Sequence, residues 1–262
     1  MAITLRSRRE IELMKKAGEV VADVLLKLKE SVAAGQTTGE LNRIAEEMTL
    51  KAGAEALFKG VKNPYGHKPF PAAICSSVNH QVVHGIPSDK VVLQEGDILS
   101  IDFGVRLAGY CADAAFTVGI GKVDERKQQL MDVTARMLDI AIAQSRPGVK
   151  WSQIARMMQD TAKLAGFSVV TEFVGHGIGT QMHEEPKVPN FVSRELLNHD
   201  IFLQEGMILA VEPMVNMGTS QVVTLKDGWT VVTKDGKPSA HFEHTIAITN
   251  NGSEVLTAKT KI

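Results

Sequence analysis

Four carboxylates stand in this sequence where an ionised group is costly to bury. Asp102 falls within residues 98–105, where alternation puts Leu99, Ile101, Phe103 and Val105 on one face and Asp102 beside Ser100 on the other. Asp113 lies opposite Ala112, Ala114, Phe116 and Val118. A turn centred on Leu107-Ala108 would set Asp102 directly across from Asp113, where like charges repel. Glu212 follows the apolar pair Ala210-Val211, and Glu243 enters a run of Thr and Ile. Such groups stay ionised inside a protein only when paired or metal-bound. His176 sits between glycines in Gly175-His176-Gly177-Ile178-Gly179, read as a turn, with His183 in the same loop. Small neighbours let backbone approach a ligand closely. Each carboxylate alone could face water from an edge strand, and a lone loop histidine is more often structural. Four carboxylates and two such histidines together point to bound cations. Asp102, Asp113, Glu212 and Glu243 sum to a charge of −4 with His176 neutral, which two divalent ions balance. Oxygen ligands with one imidazole suit Mn, Fe, Co or Zn. Paired metals lower the pKa of a shared water and stabilise both ends of a displacement.

The elements that must hold these residues can be read along the chain. Ser7 to Glu10 and Thr37 to Glu40 have the spacing of helix capping boxes. Behind the first, Ile11, Met14, Val21, Val24, Leu25 and Leu28 recur at helical spacing. Behind the second, Leu41, Ile44, Ala45 and Met48 do the same, and Gly53 is a natural stop. Three prolines and a glycine make residues 61–71 a loop. Strands are predicted at 98–105 and 114–118, then helices at about 125–144 and 152–165. Further strands are predicted at 168–174, 207–212, 221–224, 229–233 and 242–249.

The pattern repeats. Gly35, Leu41, Ile44, Ala52 and Gly53 match Gly148, Ile154, Met157, Ala165 and Gly166 at a constant offset of 113. The ten residues from Leu93 to Asp102 match those from Leu203 to Glu212 at an offset of 110, with six identities. Each run ends in a carboxylate. These matches imply two similar α/β halves, roughly 10–120 and 125–250, about a pseudo-two-fold axis within one catalytic domain spanning 1–262. Asp102 and Glu212 would face each other across it.

The bulk composition narrows the function. A net charge of −1 argues against a nucleic-acid or anionic-membrane binder. Two cysteines, Cys75 and Cys111, cannot build a disulfide framework or a Cys-only zinc site. The charged N-terminus lacks a signal-peptide core, and no apolar run approaches a membrane span. The expectation is a cytoplasmic monomer.

The sequence resembles the type I methionine aminopeptidases, which have the pita-bread fold of metallopeptidases. The markers are Val83-His84-Gly85-Ile86-Pro87, Ile101-Asp102, Ala112-Asp113, the His176 glycine motif, His183-Glu184-Glu185-Pro186, Glu212-Pro213-Met214-Val215 and Phe242-Glu243-His244-Thr245. The resemblance covers essentially the whole chain. It implies an α+β fold: a curved antiparallel sheet covered by helices, in two pseudo-symmetric halves. It implies that Asp113 and Glu243 bridge two metals, that Asp102 holds one, and that His176 and Glu212 hold the other. A metal-bridging hydroxide would be the nucleophile, and Glu212 or a neighbouring carboxylate would relay its proton. His183 would donate to the scissile carbonyl oxygen, and His84 would contact the scissile amide nitrogen or the departing amine. Cys75, Phe70 and Trp229 would line a pocket for the methionine side chain. The substrate would be a nascent polypeptide N-terminus, met at the ribosome, with Met before a small residue. The chain's own Met1-Ala2 would qualify. The loop 60–71 is longer than the family's usual one, and His67 stands near where an aromatic residue is common. Xaa-Pro peptidases share these metal ligands but carry an additional N-terminal domain, for which this chain has no room before its first repeat. A non-catalytic peptide-binding module would be expected to lose ligands, and all five are present.

Overall fold

The computed structural model describes residues 3–258. Met1-Ala2 therefore lies outside the described residues. Both capping boxes form. The Ser7 amide donates to Glu10 Oε2 at 2.8 Å, and the Glu10 amide returns a 3.4 Å bond to Ser7 Oγ, opening helix α1 (Arg8–Ser31). Thr37 and Glu40 do the same for α2 (Thr38–Lys51). Gly53 just beyond it takes the left-handed conformation, φ +65°. The chain continues through β1 (Glu55–Ala56), β2 (Cys75–Val78), β3 (Gln81–Val83), β4 (Ile98–Leu107) and β5 (Tyr110–Gly119). Then come α3 (Glu125–Gln144), α4 (Trp151–Leu164), β6 (Ser168–Val169), β7 (Gly175–Gly177), β8 (Glu184–Val188) and α5 (Arg194–Asn198). The last strands are β9 (Ile208–Val211), β10 (Met214–Asn216), β11 (Val222–Thr224), β12 (Val231–Thr233), β13 (Ser239–His241), β14 (Glu243–Thr249) and β15 (Gly252–Val255).

The main sheet runs β1-β4-β5-β14-β9-β7-β8, antiparallel throughout, with β2 added to β4 and β15 to β14. Its two central strands, β5 and β14, come one from each half. Helices cover one face. Val21, Leu25 and Leu28 of α1 pack on Leu99, Ile101, Phe103 and Val105 of β4. Leu130 and Leu138 of α3, with Trp151 and Ile154 of α4, pack on Leu209, Val211 and Ile246. Alternation along the strands then leaves Asp102 and Asp113 on the uncovered face.

The repeat extends to individual hydrogen bonds. Gly35 N–H donates to Leu93 O at 2.8 Å, and Gly148 N–H donates to Leu203 O at 2.8 Å. Isolated bridges join Thr37 to Val92 and Lys150 to Phe202, at the same two offsets. The two halves are pseudo-symmetric α/β units, as the sequence matches imply.

Three local expectations are corrected. The β4–β5 turn centres on Ala108-Gly109, with φ +50° and +84°, so Leu107 pairs with Tyr110. A turn one residue earlier would force two Cβ-bearing residues into the left-handed region, whereas this one puts Gly109 there. In consequence Asp102 pairs with Ala115, and Asp113 with Gly104. The two carboxylates are diagonal neighbours on one face rather than directly opposed. The glycines around His176 form not a turn but the strand β7, inside the sheet. A Cβ at Gly175 would meet Ala210 O at 2.4 Å and one at Gly177 would meet Glu185 O at 2.2 Å, so close strand approach demands glycine. The predicted strand 168–174 is paired only at Ser168–Val169.

Candidate metal centre and substrate pocket

Each acidic residue is delivered by a different strand or strand end of the sheet. Asp102 comes from β4, Asp113 from β5, Glu243 from the start of β14 and Glu212 from just past β9. All four, with His176 of β7, line one cavity of about 170 Å³. One ligand atom each from Asp113, His176 and Glu243 lies within 4.8 Å of the others, and all three residues are buried. Asp102 and Glu212 are partly accessible, but that surface opens into the cavity rather than to bulk water.

The electrostatics require a cation or protons. Burial, reinforced by neighbouring carboxylates, pushes Asp113, Glu212 and Glu243 well above the ordinary carboxylate range. Burial raises Asp102 to about 7. Asp102 Oδ1, Asp113 Oδ1 and Glu243 Oε1 are buried with no hydrogen-bond partner among the described residues. Orphaned acceptors of this kind are rare in a folded protein without an ion to meet them.

The histidines are held neutral. Burial lowers His176 and His84 to about 4 and also lowers His183. His176 Nδ1 is 2.9 Å from Gly177 O, and a carbonyl can only accept, so Nδ1 carries the proton. Its Nε2 lone pair faces Glu212 Oε1 at 3.6 Å. A neutral imidazole with one nitrogen committed to a carbonyl is the usual state of a metal ligand. The set of carboxylates plus one oriented imidazole therefore fits divalent cations.

An apolar pocket adjoins the acidic group. Phe58, Phe70, Ala72 and Cys75 form its buried part, with Met182, Ile86 and Trp229 packed against them. Phe70 meets Trp229 edge-on at 5.3 Å. Cys75 pairs with Asp102 in the β2–β4 register. Burial raises its thiol well above the usual range, with Asp102 adding to the effect, so it serves as an apolar wall rather than a nucleophile. The loop 60–71 is tied over the rim. Trp229 Nε1 donates to Lys68 O at 2.8 Å, and Asn63 Nδ2 donates to Gly228 O at 2.7 Å. His67 packs its ring against Gly228.

His84 and His183 border the same cavity. His84 adopts φ +58°, rare for a residue with a Cβ, and packs edge-on against Phe173 and Trp229. His183 stacks edge-on against His176, with ring centres 4.4 Å apart. The next residue, Glu184, receives two bonds from Arg6, at 2.7 and 2.6 Å, and further bonds from the Thr180 and Gln181 amides. All ten residues singled out in the sequence thus border one cavity. Phe58, Val61 and Met182 line it as well, and the periodicity of the sequence gave no sign of them.

The model of the metallopeptidase family M24 matches residues 12–250. The chain belongs to metallopeptidase family M24. Among M24 relatives, a methionine aminopeptidase of Clostridium perfringens is 48% identical over 255 residues, 97% of this chain and 98% of that protein. The crystal structure of a methionine aminopeptidase from Thermotoga maritima superposes with a TM-score of 0.92 at 41% identity, covering 98% of this chain and all (100%) of that one. A prolidase from Pyrococcus furiosus shares the fold at 22% identity and a TM-score of 0.76, and this chain covers 66% of it. With the M24 match, the buried Asp113, His176 and Glu243 stand as a candidate metal site in a metallopeptidase. Among the described residues, no helix is long and apolar enough to cross a membrane.

Proposed function

We propose that the chain is a methionyl aminopeptidase, removing the N-terminal methionine of proteins whose second residue is small, by hydrolysis at a two-cation centre. The observation that carries this reading is the juxtaposition of the Asp113–His176–Glu243 cluster with the Phe58–Phe70–Cys75 pocket. An apolar, aromatic-lined pocket suits a flexible thioether side chain. The acidic group beside it suits the substrate's free α-ammonium. Cleavage is thereby restricted to the first peptide bond.

Asp102, Asp113, His176, Glu212 and Glu243 would hold the cations. Mn, Fe, Co and Zn all fit this donor set. Bound there, they would supply an acidified water and polarise the scissile carbonyl. Glu212 or a neighbouring carboxylate would take up the water's proton. His183 would donate to the carbonyl oxygen as negative charge develops on it. His84 would contact the scissile nitrogen and the departing amine. Trp229, Phe70 and Cys75 would enclose the methionine side chain.

The chain would act as one catalytic unit, a monomer meeting nascent N-termini at the ribosome. Two free, buried cysteines suit the reducing cytoplasm. The deciding experiment compares a Met-Ala-Ser peptide with an Xaa-Pro peptide, before and after exhaustive chelation. Cleavage of Met-Ala-Ser should vanish on chelation and return with Mn or Co. Activity untouched by chelation would overturn the metal mechanism. Rapid Xaa-Pro cleavage without Met-Ala cleavage would overturn the substrate assignment.

A further inference from the structure

The mechanism leaves unused a buried histidine that lies beside two of the carboxylates lining the cavity. His241 ends β13 and is 1% exposed. Strand alternation puts it on the same side as Glu243, two residues on. Its backbone is fixed by the strands that bear Asp102 and Asp113. The His241 amide donates to Thr117 Oγ1 at 2.9 Å, Thr117 Oγ1 donates to His241 O at 2.8 Å, and Ser100 Oγ lies 2.8 Å from the same hydroxyl. The backbone that carries the ring is thus anchored. Its Nε2 is buried and has no hydrogen-bond partner among the described residues. That nitrogen points between two carboxylates, 3.8 Å from Glu212 Oε2 and 3.9 Å from Glu243 Oε2.

An apolar side chain would fill this place without leaving a buried ring nitrogen unpartnered, which is destabilising. A lone pair aimed at two carboxylates would be repelled, whereas an N–H is attracted. With the carboxylates read as cation ligands, as proposed above, we infer that His241 is a positioning residue: its Nε2–H donates to the Glu212 and Glu243 carboxylates and orients them for divalent cations. Both distances exceed hydrogen-bond range by roughly half an ångström, within reach of a small carboxylate rotation. Glu212 lies past β9 and Glu243 opens β14, so one imidazole ties together ligands from two strands. Fixing ligand orientation before binding raises affinity, because less freedom is lost when the ion arrives.

The test is calorimetric titration of metal-stripped full-length protein with Mn(II). H241F and H241L remove the donor while keeping the site filled. H241Q keeps an N–H at similar reach. H241F and H241L should bind Mn(II) about 10–100-fold more weakly than wild type, with most of the affinity restored in H241Q. Excess Mn(II) should recover turnover in both donor-free variants, as expected for a residue that orients ligands without touching substrate. Wild-type affinity in H241F or H241L would overturn the role, as would H241Q binding as weakly as they do. Cooperative unfolding of the stripped proteins shows which variants fold, and either donor-free variant suffices. A wild-type protein that takes up no Mn(II) would instead overturn the metal centre itself, so the two failures are told apart.

Discussion

His176 shows how one backbone contact decides a side chain's chemistry. With Nδ1–H committed to Gly177 O, only Nε2 is left to face Glu212. Substituting His176→Ala removes the single nitrogen of the ligand cluster. Turnover of Met-Ala-Ser should fall by at least about 100-fold, since even outer partners of metal ligands cost 10–100-fold. Retention of most activity, measured with Mn(II) in excess, would take His176 out of the ligand set. This residue was legible in the sequence because glycines on both sides of a histidine are unusual. The reason for those glycines was not, because it lies in the carbonyls of Ala210 and Glu185 on neighbouring strands. His241 shows the opposite case. It sits two residues before Glu243 and shares its face, but a lone buried histidine carries no sign of its partners until distances are known. Phe58 and Met182 were equally silent, being apolar residues whose pocket is assembled from segments far apart in the chain.

Two elements support the side chains of the proposed site, and each can be tested alone. The N-terminal segment straps the loop that carries His183. Arg6 Nη2 donates to both carboxylate oxygens of Glu184, and both side chains are largely buried, at 9% and 16% exposure. Arg6→Ala leaves Glu184 with the Thr180 amide and hydroxyl and the Gln181 amide. Stability should drop by about 2 kcal/mol, and kcat should fall, because His183 is adjacent to the loosened residue. Mn(II) affinity should stay at the wild-type value, and an unchanged kcat would show that the strap does not position His183. The β4–β5 hairpin offers a test of opposite sign. Ala108 is exposed and holds φ +50°. Asn tolerates that conformation and makes the Asn-Gly pair favoured in such turns, so Ala108→Asn should stabilise the fold by about 1 kcal/mol. A loss of stability in denaturant titration would contradict the turn geometry. The hairpin also shows where element-scale reading stopped. Alternation correctly assigned faces to residues 98–105 and 114–118, but register depends on which residue accepts positive φ, and a one-residue shift moved Asp113 from opposite Asp102 to opposite Gly104. Capped helices were read closely, because their signals are local: α3 runs from Glu125 to Gln144 as the pattern predicts. Short strands such as β2, β3 and β8 exist only through their partners and left no periodic trace.

At the scale of the molecule, the internal repeat brings like-charged residues together from both halves, and the fold stores that repulsion in its centre. The consequence is a stability that depends on pH in a defined direction. Asp102 has a folded-state pKa of about 7 against an ordinary 3.8, and Asp113, Glu212 and Glu243 are raised well above their ordinary values. A raised carboxyl binds a proton in the folded state that the unfolded chain has released. Its contribution is full below the ordinary pKa and is lost as pH rises through the folded value. Buried histidines work the other way. His84, His176 and His244 are lowered to about 4 and His241 to about 3, so they cost stability as pH falls below 6.5. The two trends oppose each other between about pH 4 and 6.5. Above pH 6.5 the histidines are neutral in both states and only the carboxyls titrate. Metal-stripped protein should therefore lose thermal stability steadily from pH 6.5 to 8. Divalent cations replace the protons, so the loaded protein should be nearly flat over the same range, and each ion's binding should release protons. The gap in Tm between Mn(II)-loaded and stripped protein should widen with pH. Scanning calorimetry at pH 6.5, 7.2 and 8.0 measures it directly. A gap that stays constant or narrows would mean that the four carboxylates do not share one cation-neutralised centre.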